Sequence, residues 1–396
     1  MKKILSLEFF FAFLLFCNAQ PFFVWGRHIQ NYLLYPVLLF IAIKHRKNEK
    51  ELNALLFIIL TFVVLYCAFQ ELTFGYYLNY LSLPIMYLIN KKECAQVYKR
   101  LFELFTLLVG ISVICYIINI IIPGIMPNMK ISPTISYKDY NYIAYPFFVT
   151  PDLPFEFRFH GMFDEAGTNG TITTIFLYIE RYNLKKKRNM VLFINGLLSF
   201  SFFFILCTLF YFIVSRLDII IRSLPKLLVV FSVFFILYNE TKNDEMIKFY
   251  VWDRMSIIDE KEPGQARGDN RTDELFEFSY KNFLASSDVW FGKGRGSGEK
   301  VTNDTSSYKL VVYNYGVVWF FFFLFFWIFD IVMQCPQKGR DLLFKLFLIS
   351  AMIFQRPGIL MPFISFMFMN MFPYNEILLF SSSRNRNNND KTTNHN

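Results

Sequence analysis

Arg158, His160, Asp164 and Glu165 fall within eight residues of one another in the stretch FEFRFHGMFDEAGTNG (155–170). A guanidinium there can grip a phosphate or diphosphate through forked hydrogen bonds, and a carboxylate beside it can take the proton of a hydroxyl nucleophile. The plainer reading is that Arg158 anchors a helix at lipid headgroups while Glu165 and Thr168 start that helix.

A second supply of chemistry lies between two apolar blocks, in 239–307. Arg254, Arg267, Arg271 and Arg295 stand there among Asp253, Asp259, Glu260, Asp269, Asp273 and Glu274. Arg267 and Arg271 would share a helix face at their four-residue spacing, but Pro263, Gly264 and Gly268 argue against a helix. The plain alternative is a solvated loop of balanced charge. Within it, FGKGRGSGEK (291–300) sets glycine at alternate positions around Lys293 and Arg295. Freed amides can cradle a phosphate. No Ser or Thr follows Gly292-Lys293, so this is not a nucleotide loop, and a flexible connector is the expected role.

Three charges stand in or beside apolar runs: Glu8, Glu103 and Arg356. Charge in a membrane span is costly and tends to be functional. Glu8 and Glu103 are close enough to run ends to snorkel, whereas Arg356, in FQRPG, is placed at an outer mouth. The six cysteines lie in apolar spans or expected inner loops, and the four histidines are scattered. Neither a disulfide framework nor a metal centre is expected.

The elements that carry these residues must be membrane helices. Hydrophobic residues make up 55% of the 396, and phenylalanine alone fills 51 positions, which suits lipid as solvent better than a soluble core. The net charge of +9 comes from bases in short loops between apolar runs, the pattern of cytoplasmic loops, so a nucleic-acid partner is not expected. The basic loops are Lys44 to Lys50, Lys91 to Arg100, Arg181 to Arg188, and Lys338 to Arg340. Helices expected over 4–19, 31–43, 53–69, 73–89 and 101–123 make up an N-terminal membrane block, 1–123. The run at 4–19 also resembles a signal peptide, but Glu8 spoils its apolar centre.

A proline-rich first outer loop, 124–167, is expected to hold no long regular element. Central helices occupy 168–239. The run 189–214 is read as two short helices turning near Leu198-Ser199-Phe200-Ser201, because a single crossing would leave Arg216, Arg222 and Lys226 outside. The large outer loop is then 240–307, the C-terminal helices 308–380, and a polar, disordered cytoplasmic tail 381–396. The expectation is an all-α polytopic membrane protein of about 10–12 spans with both termini inside.

The ordered set RFHGMFDEAG (158–167), LLSFSFFFIL (197–206), an arginine-rich outer loop, GKGRGSG (292–298), SSYKLVVYNYGVVW (306–319) and Gln355-Arg356-Pro357 resembles the O-antigen polymerase and ligase superfamily. The closer likeness is to Wzy-type oligosaccharide repeat-unit polymerases, and it covers roughly 150–360. Ser306-Ser307 stands where ligases of the superfamily carry a His-Asn pair, which favours polymerase over ligase. No Arg-to-Gly spacing of the kind described for some polymerases is met: sixteen residues beyond Arg158 stands Thr174, and beyond Arg254 stands Asn270.

The resemblance implies a glycosyltransferase-type polymerase in the bacterial inner (cytoplasmic) membrane. It would join undecaprenyl-diphosphate-linked oligosaccharide repeat units of O-antigen or capsular polysaccharide at the outer face, with no metal, nucleotide or other cofactor. Its catalytic residues would be Arg158, Glu165, Arg254 and Arg271, with Arg267, Arg295, Arg356 and His160 binding substrate. Its partners would be the lipid bilayer and the lipid-linked glycan, and a chain-length regulator is left open. A lipid-linked oligosaccharide flippase or transporter is the rival, and it requires charge deep in the spans.

Overall fold

The computed structural model describes residues 6–22, 29–46, 59, 61, 74–132, 141–153, 158–215, 232, 236, 238–244, 274–294, 296–298, 300–301, 308–334, 339–355 and 361–371. The spans expected at 53–69 and 227–239, much of the loop 240–307 and the tail 381–396 lie wholly or largely outside the described residues.

Helices dominate. They are α1 (Leu7–Asn18), α2 (Ile29–Lys44), α3 (Phe74–Leu88), α4 (Lys91–Ile121), α5 (Ala166–Ile179), α6 (Lys187–Leu198), α7 (Phe202–Ser215), α8 (Glu274–Leu284), α9 (Tyr308–Gln334), α10 (Arg340–Gln355) and α11 (Pro362–Phe366), the last continued by a π turn over Met367–Met371. Local chemistry sets several ends. The Ser6 hydroxyl accepts from Phe9 N at 3.3 Å to start α1, and Asn90 Oδ1 accepts from Glu93 N at 2.9 Å to start α4. α4 stops at Ile121, just before Pro123.

α6 and α7 are separate helices, as the serines of 199–201 suggested. Ser199 Oγ donates to Gly196 O at 2.7 Å and accepts from Ser201 N at 3.3 Å, so the hydroxyl serves backbone groups that the turn leaves open.

The chain is not all-α. The segment 124–167, expected as an outer loop, holds a three-stranded antiparallel sheet in the order β1 (Met129–Ile131), β2 (Tyr142–Tyr145), β3 (Phe148–Pro151), with Met129 opposite Ala144 and Tyr142 opposite Pro151. The prolines that exclude a helix here also bound these strands. Pro146 opens the two-residue turn, and Phe147 completes it at φ 68°.

Two helices, Lys91–Ile121 and the Tyr308–Val332 part of α9, are long and apolar enough to cross a membrane. The apolar helices Leu7–Asn18, Tyr32–Lys44 and Phe202–Ser215 are shorter than the ~20 residues a crossing takes. Of the expected 10–12 spans, the described residues show two helices of crossing length and apolarity.

The core is aromatic. Phe11, Phe16, Phe105, Phe159, Phe163, Phe176 and Trp327 are fully buried, and Phe105 stacks on Phe176 at 4.7 Å between centroids. α1 is part of that core: it packs along α4, and Phe16 meets Phe105 edge-on.

Polar contacts sort the helix ends into two faces. On the first, Asn90 N donates to His45 O, Tyr98 donates to Glu180, Arg188 pairs with Glu103, and Tyr178 donates to Asp341. These contacts gather the end of α2, the start of α4, the end of α5 and the starts of α6 and α10, together with the described basic residues beside them, among them Lys44, Lys91, Arg181 and Lys186. On the second face lie the end of α1, the start of α5, the α6–α7 turn, β3 and the start of α11.

Candidate functional site

The segment 158–165 is the hub of that second face. Three elements hold its backbone. Phe159 N donates to Leu198 O at 2.9 Å, Val149 N of β3 donates to Gly161 O at 2.8 Å, and Phe22 N beyond α1 donates to Met162 O at 2.6 Å. α11 joins the same face through Phe363 N, which donates to Asn18 Oδ1 at 3.0 Å. Tyr116 of α4 packs its ring on Phe159 at 4.6 Å and edge-on to Phe148.

Side chains lock the segment from beneath. Asn169 Nδ2 donates to Phe159 O at 3.3 Å and to Asn195 Oδ1 at 3.1 Å. Asn195 Nδ2 returns a bond to Asn169 Oδ1 at 2.9 Å and reaches Thr173 Oγ1 at 2.7 Å. All three residues are fully buried. A satisfied network of this kind in low dielectric specifies one arrangement of α5 against α6 and the segment above them.

Of the residues expected to act, three are described. Arg158 is half-buried at the start of the segment, and Glu165 is half-buried at its end. Glu165 is also the N-cap of α5: its carbonyl accepts from Thr168 N at 3.1 Å and Asn169 N at 3.2 Å, while its side chain makes no capping bond. Its backbone therefore starts the helix, as the plain reading held, and its carboxylate is not spent on the cap. His160 is buried, and its Nδ1 lies 3.0 Å from the Asp164 carbonyl. A carbonyl only accepts, so Nδ1 carries the proton and the ring is fixed in the segment. Arg254, Arg267, Arg271, Arg295 and Arg356 lie outside the described residues.

The glycine loop differs from the connector expected. α9 breaks at Gly316, where φ is 84° and ψ 167°, and the loop seals the break. Lys293 N donates to Tyr313 O at 2.9 Å, Gly294 N to Asn314 O at 3.0 Å, and Val318 N to Trp290 O at 3.2 Å. Gly298 N donates to Asn314 Oδ1 at 2.8 Å, and Gly292 N to Asp288 O at 2.7 Å. The amides of Gly292, Lys293, Gly294 and Gly298 are thus engaged inside the protein.

Sequence reasoning missed two groups. The Asn169, Asn195 and Thr173 network has no linear pattern, since its amides stand 26 residues apart. Asp330 and Lys345 are fully buried charges on α9 and α10. Lys345 Nζ pairs with Asp341 Oδ2 at 2.6 Å, and Tyr178 donates to Asp341 Oδ1 at 2.7 Å. An Asp inside FFFFLFFWIFDIVM was the available signal for the first of these charges.

No protein-family model, curated protein or solved structure matches the chain.

Proposed function

We propose that the chain is a membrane glycosyltransferase that polymerises undecaprenyl-diphosphate-linked oligosaccharide repeat units at the outer face of the bacterial inner membrane. The observation that supports this best is the Arg158–Glu165 segment, tied by backbone bonds from three elements at the end of the bundle opposite the basic loops. In a bilayer the basic end is the cytoplasmic one by the positive-inside rule, and Arg158 then faces outward.

In the reaction, a hydroxyl oxygen of the acceptor sugar bonds to the anomeric carbon of the donor glycan. The bond between that carbon and the diphosphate oxygen breaks, and undecaprenyl diphosphate leaves. Glu165 takes the hydroxyl proton. Arg158, with Arg254 or Arg271 from the large loop, neutralises the charge that grows on the departing diphosphate.

The test is Arg158→Ala in the native host, with glycans separated on a gel. Removing one such donor costs roughly 10²–10³ in rate, so the ladder of long chains should collapse to the single-repeat product. A normal ladder would refute the reading.

A flippase or transporter is kept as a second reading because Asp330 and Lys345 are fully buried in α9 and α10. It predicts that Lys345→Met abolishes even the single-repeat product on the outer face. A polymerase whose Lys345 serves the fold alone keeps that product.

A further inference from the structure

The large loop ends on α8 and the glycine loop, and both show apolar surface where water-side protein should not. α8 turns Phe276, Tyr280 and Phe283 inward, with Phe276 and Phe283 5.4 and 5.0 Å from the Tyr313 ring. Lys309 pairs with Glu277 at 2.5 Å on the same side. On the other side Leu275 and Phe278 are 70% and 69% exposed, and beyond the helix Trp290 and Phe291 are 59% and 53% exposed.

The position of Trp290 is fixed by the break in α9. Its carbonyl accepts from Val318 N, so the indole stands where the unbroken apolar part of α9 begins. From that level the helix exposes Val318, Phe321, Phe322, Phe325, Phe329 and Val332. Positions spaced by three and four residues make one stripe, and in a bilayer that stripe faces acyl chains. The exposed Trp290 and Phe291 lie at its N-terminal end, the exposed Lys293 follows them in the loop with its ammonium 5.2 Å from the Tyr313 centroid, and Lys281 is exposed on α8 as Leu275 and Phe278 are. An indole at the top of an acyl-facing stripe with cations nearby matches the headgroup region, where one end of the ring is wet and the other apolar.

We propose that α8 and the glycine loop form a membrane-interface anchor, in which Trp290, Phe291, Leu275 and Phe278 sit among the headgroups and upper acyl chains of the outer leaflet beside α9. This rests on the membrane-spanning reading and is independent of the reaction. Its consequence is that the C-terminal end of the large loop is pinned at headgroup height, where the diphosphate of a lipid-linked substrate also lies.

The full-length protein, with its native cysteines replaced, is reconstituted in phosphatidylglycerol-containing nanodiscs. An environment-sensitive fluorophore is placed by Trp290→Cys, Phe291→Cys or Phe278→Cys, and by Phe325→Cys as the acyl-facing reference. Labels at 278, 290 and 291 should shift to the blue, and lipids carrying a nitroxide near the headgroup should quench them more strongly than a soluble quencher does. Stronger quenching from water overturns the proposal. Protection from both quenchers also overturns it, since a second copy or another part of the chain would then cover the patch. If the label at 325 is quenched from lipid while those at 278, 290 and 291 are quenched from water, the anchor fails and the membrane reading stands. The polymerase reading is judged separately, by the glycan ladder of Arg158→Ala.

Discussion

At the scale of residues, the site depends on neutral amides more than on its charges. In the proposed reaction Arg158 and Glu165 would supply the chemistry, and their relative position is set where Asn169 and Asn195 exchange bonds beneath the segment. Asn195→Ala leaves the Asn169 amide and the Thr173 hydroxyl without this partner in a dry setting. The cost of such an orphaned group is about 1–3 kcal/mol, so the melting temperature of the purified protein should fall. Asn195→Asp keeps the shape but places a carboxylate where burial penalises charge. Its stability should therefore fall further as pH rises from 5 to 8 than that of the native chain. A melting curve indistinguishable from the native one for both variants would show that the network does not hold the segment. Arg158, His160 and Glu165 were legible because charged residues beside an apolar run stand out. The amides were not, because Asn and Thr inside apolar helices read as ordinary polar interruptions until their partners are known.

At the scale of elements, what could be read depended on whether the decisive partner was near in sequence. The α6–α7 pair was legible because the basic loop before it and the serines between its helices are contiguous. The small sheet was not, since its strands are three or four residues long and lie among prolines. The glycine loop misled for a third reason: alternating glycine has the composition of a linker, while its partners Tyr313 and Asn314 lie twenty residues on. Its glycines can be tested singly. A Cβ on Gly292, at φ 82°, would stand 2.3 Å from the Asn314 carbonyl oxygen, and one on Gly316 would stand 2.4 Å from that of Trp290. Both obstacles are backbone and cannot swing away. Gly292→Ala and Gly316→Ala should undock the loop, speeding hydrogen exchange at the amides of Lys293, Gly294 and Val318. Gly296→Ala meets nothing within 4 Å. It carries only the left-handed backbone penalty of about 1–2 kcal/mol, and should leave those amides protected. Equal exchange in all three variants would remove the docked loop from the account.

At the scale of the molecule, the two-faced sorting of helix ends bears on the proposed function, because an outward site needs an odd number of crossings between it and each basic loop. α4 runs from the basic face, where Asn90 meets His45, to the face where Tyr116 packs on Phe159. α5 returns, starting at Glu165 and ending where Glu180 meets Tyr98. On the proposed membrane reading each of these paths would cross the bilayer once, although α5, at about 21 Å by its 1.5 Å rise per residue, is shorter than the roughly 30 Å hydrocarbon layer. The sheet and the Arg181 to Arg188 loop must then lie on opposite sides of the bilayer. Lys130 on β1 and Lys186 before α6 report on the two sides, since their ion pairs with Asp152 and Glu180 are at the surface and contribute little to stability. In intact spheroplasts, a membrane-impermeant maleimide should label Lys130→Cys at once and Lys186→Cys only after permeabilisation. Should both react from the same side, α4 and α5 would form a hairpin that does not cross. Arg158 would then share a compartment with the basic loops, and a donor carried on the outer leaflet could not reach it.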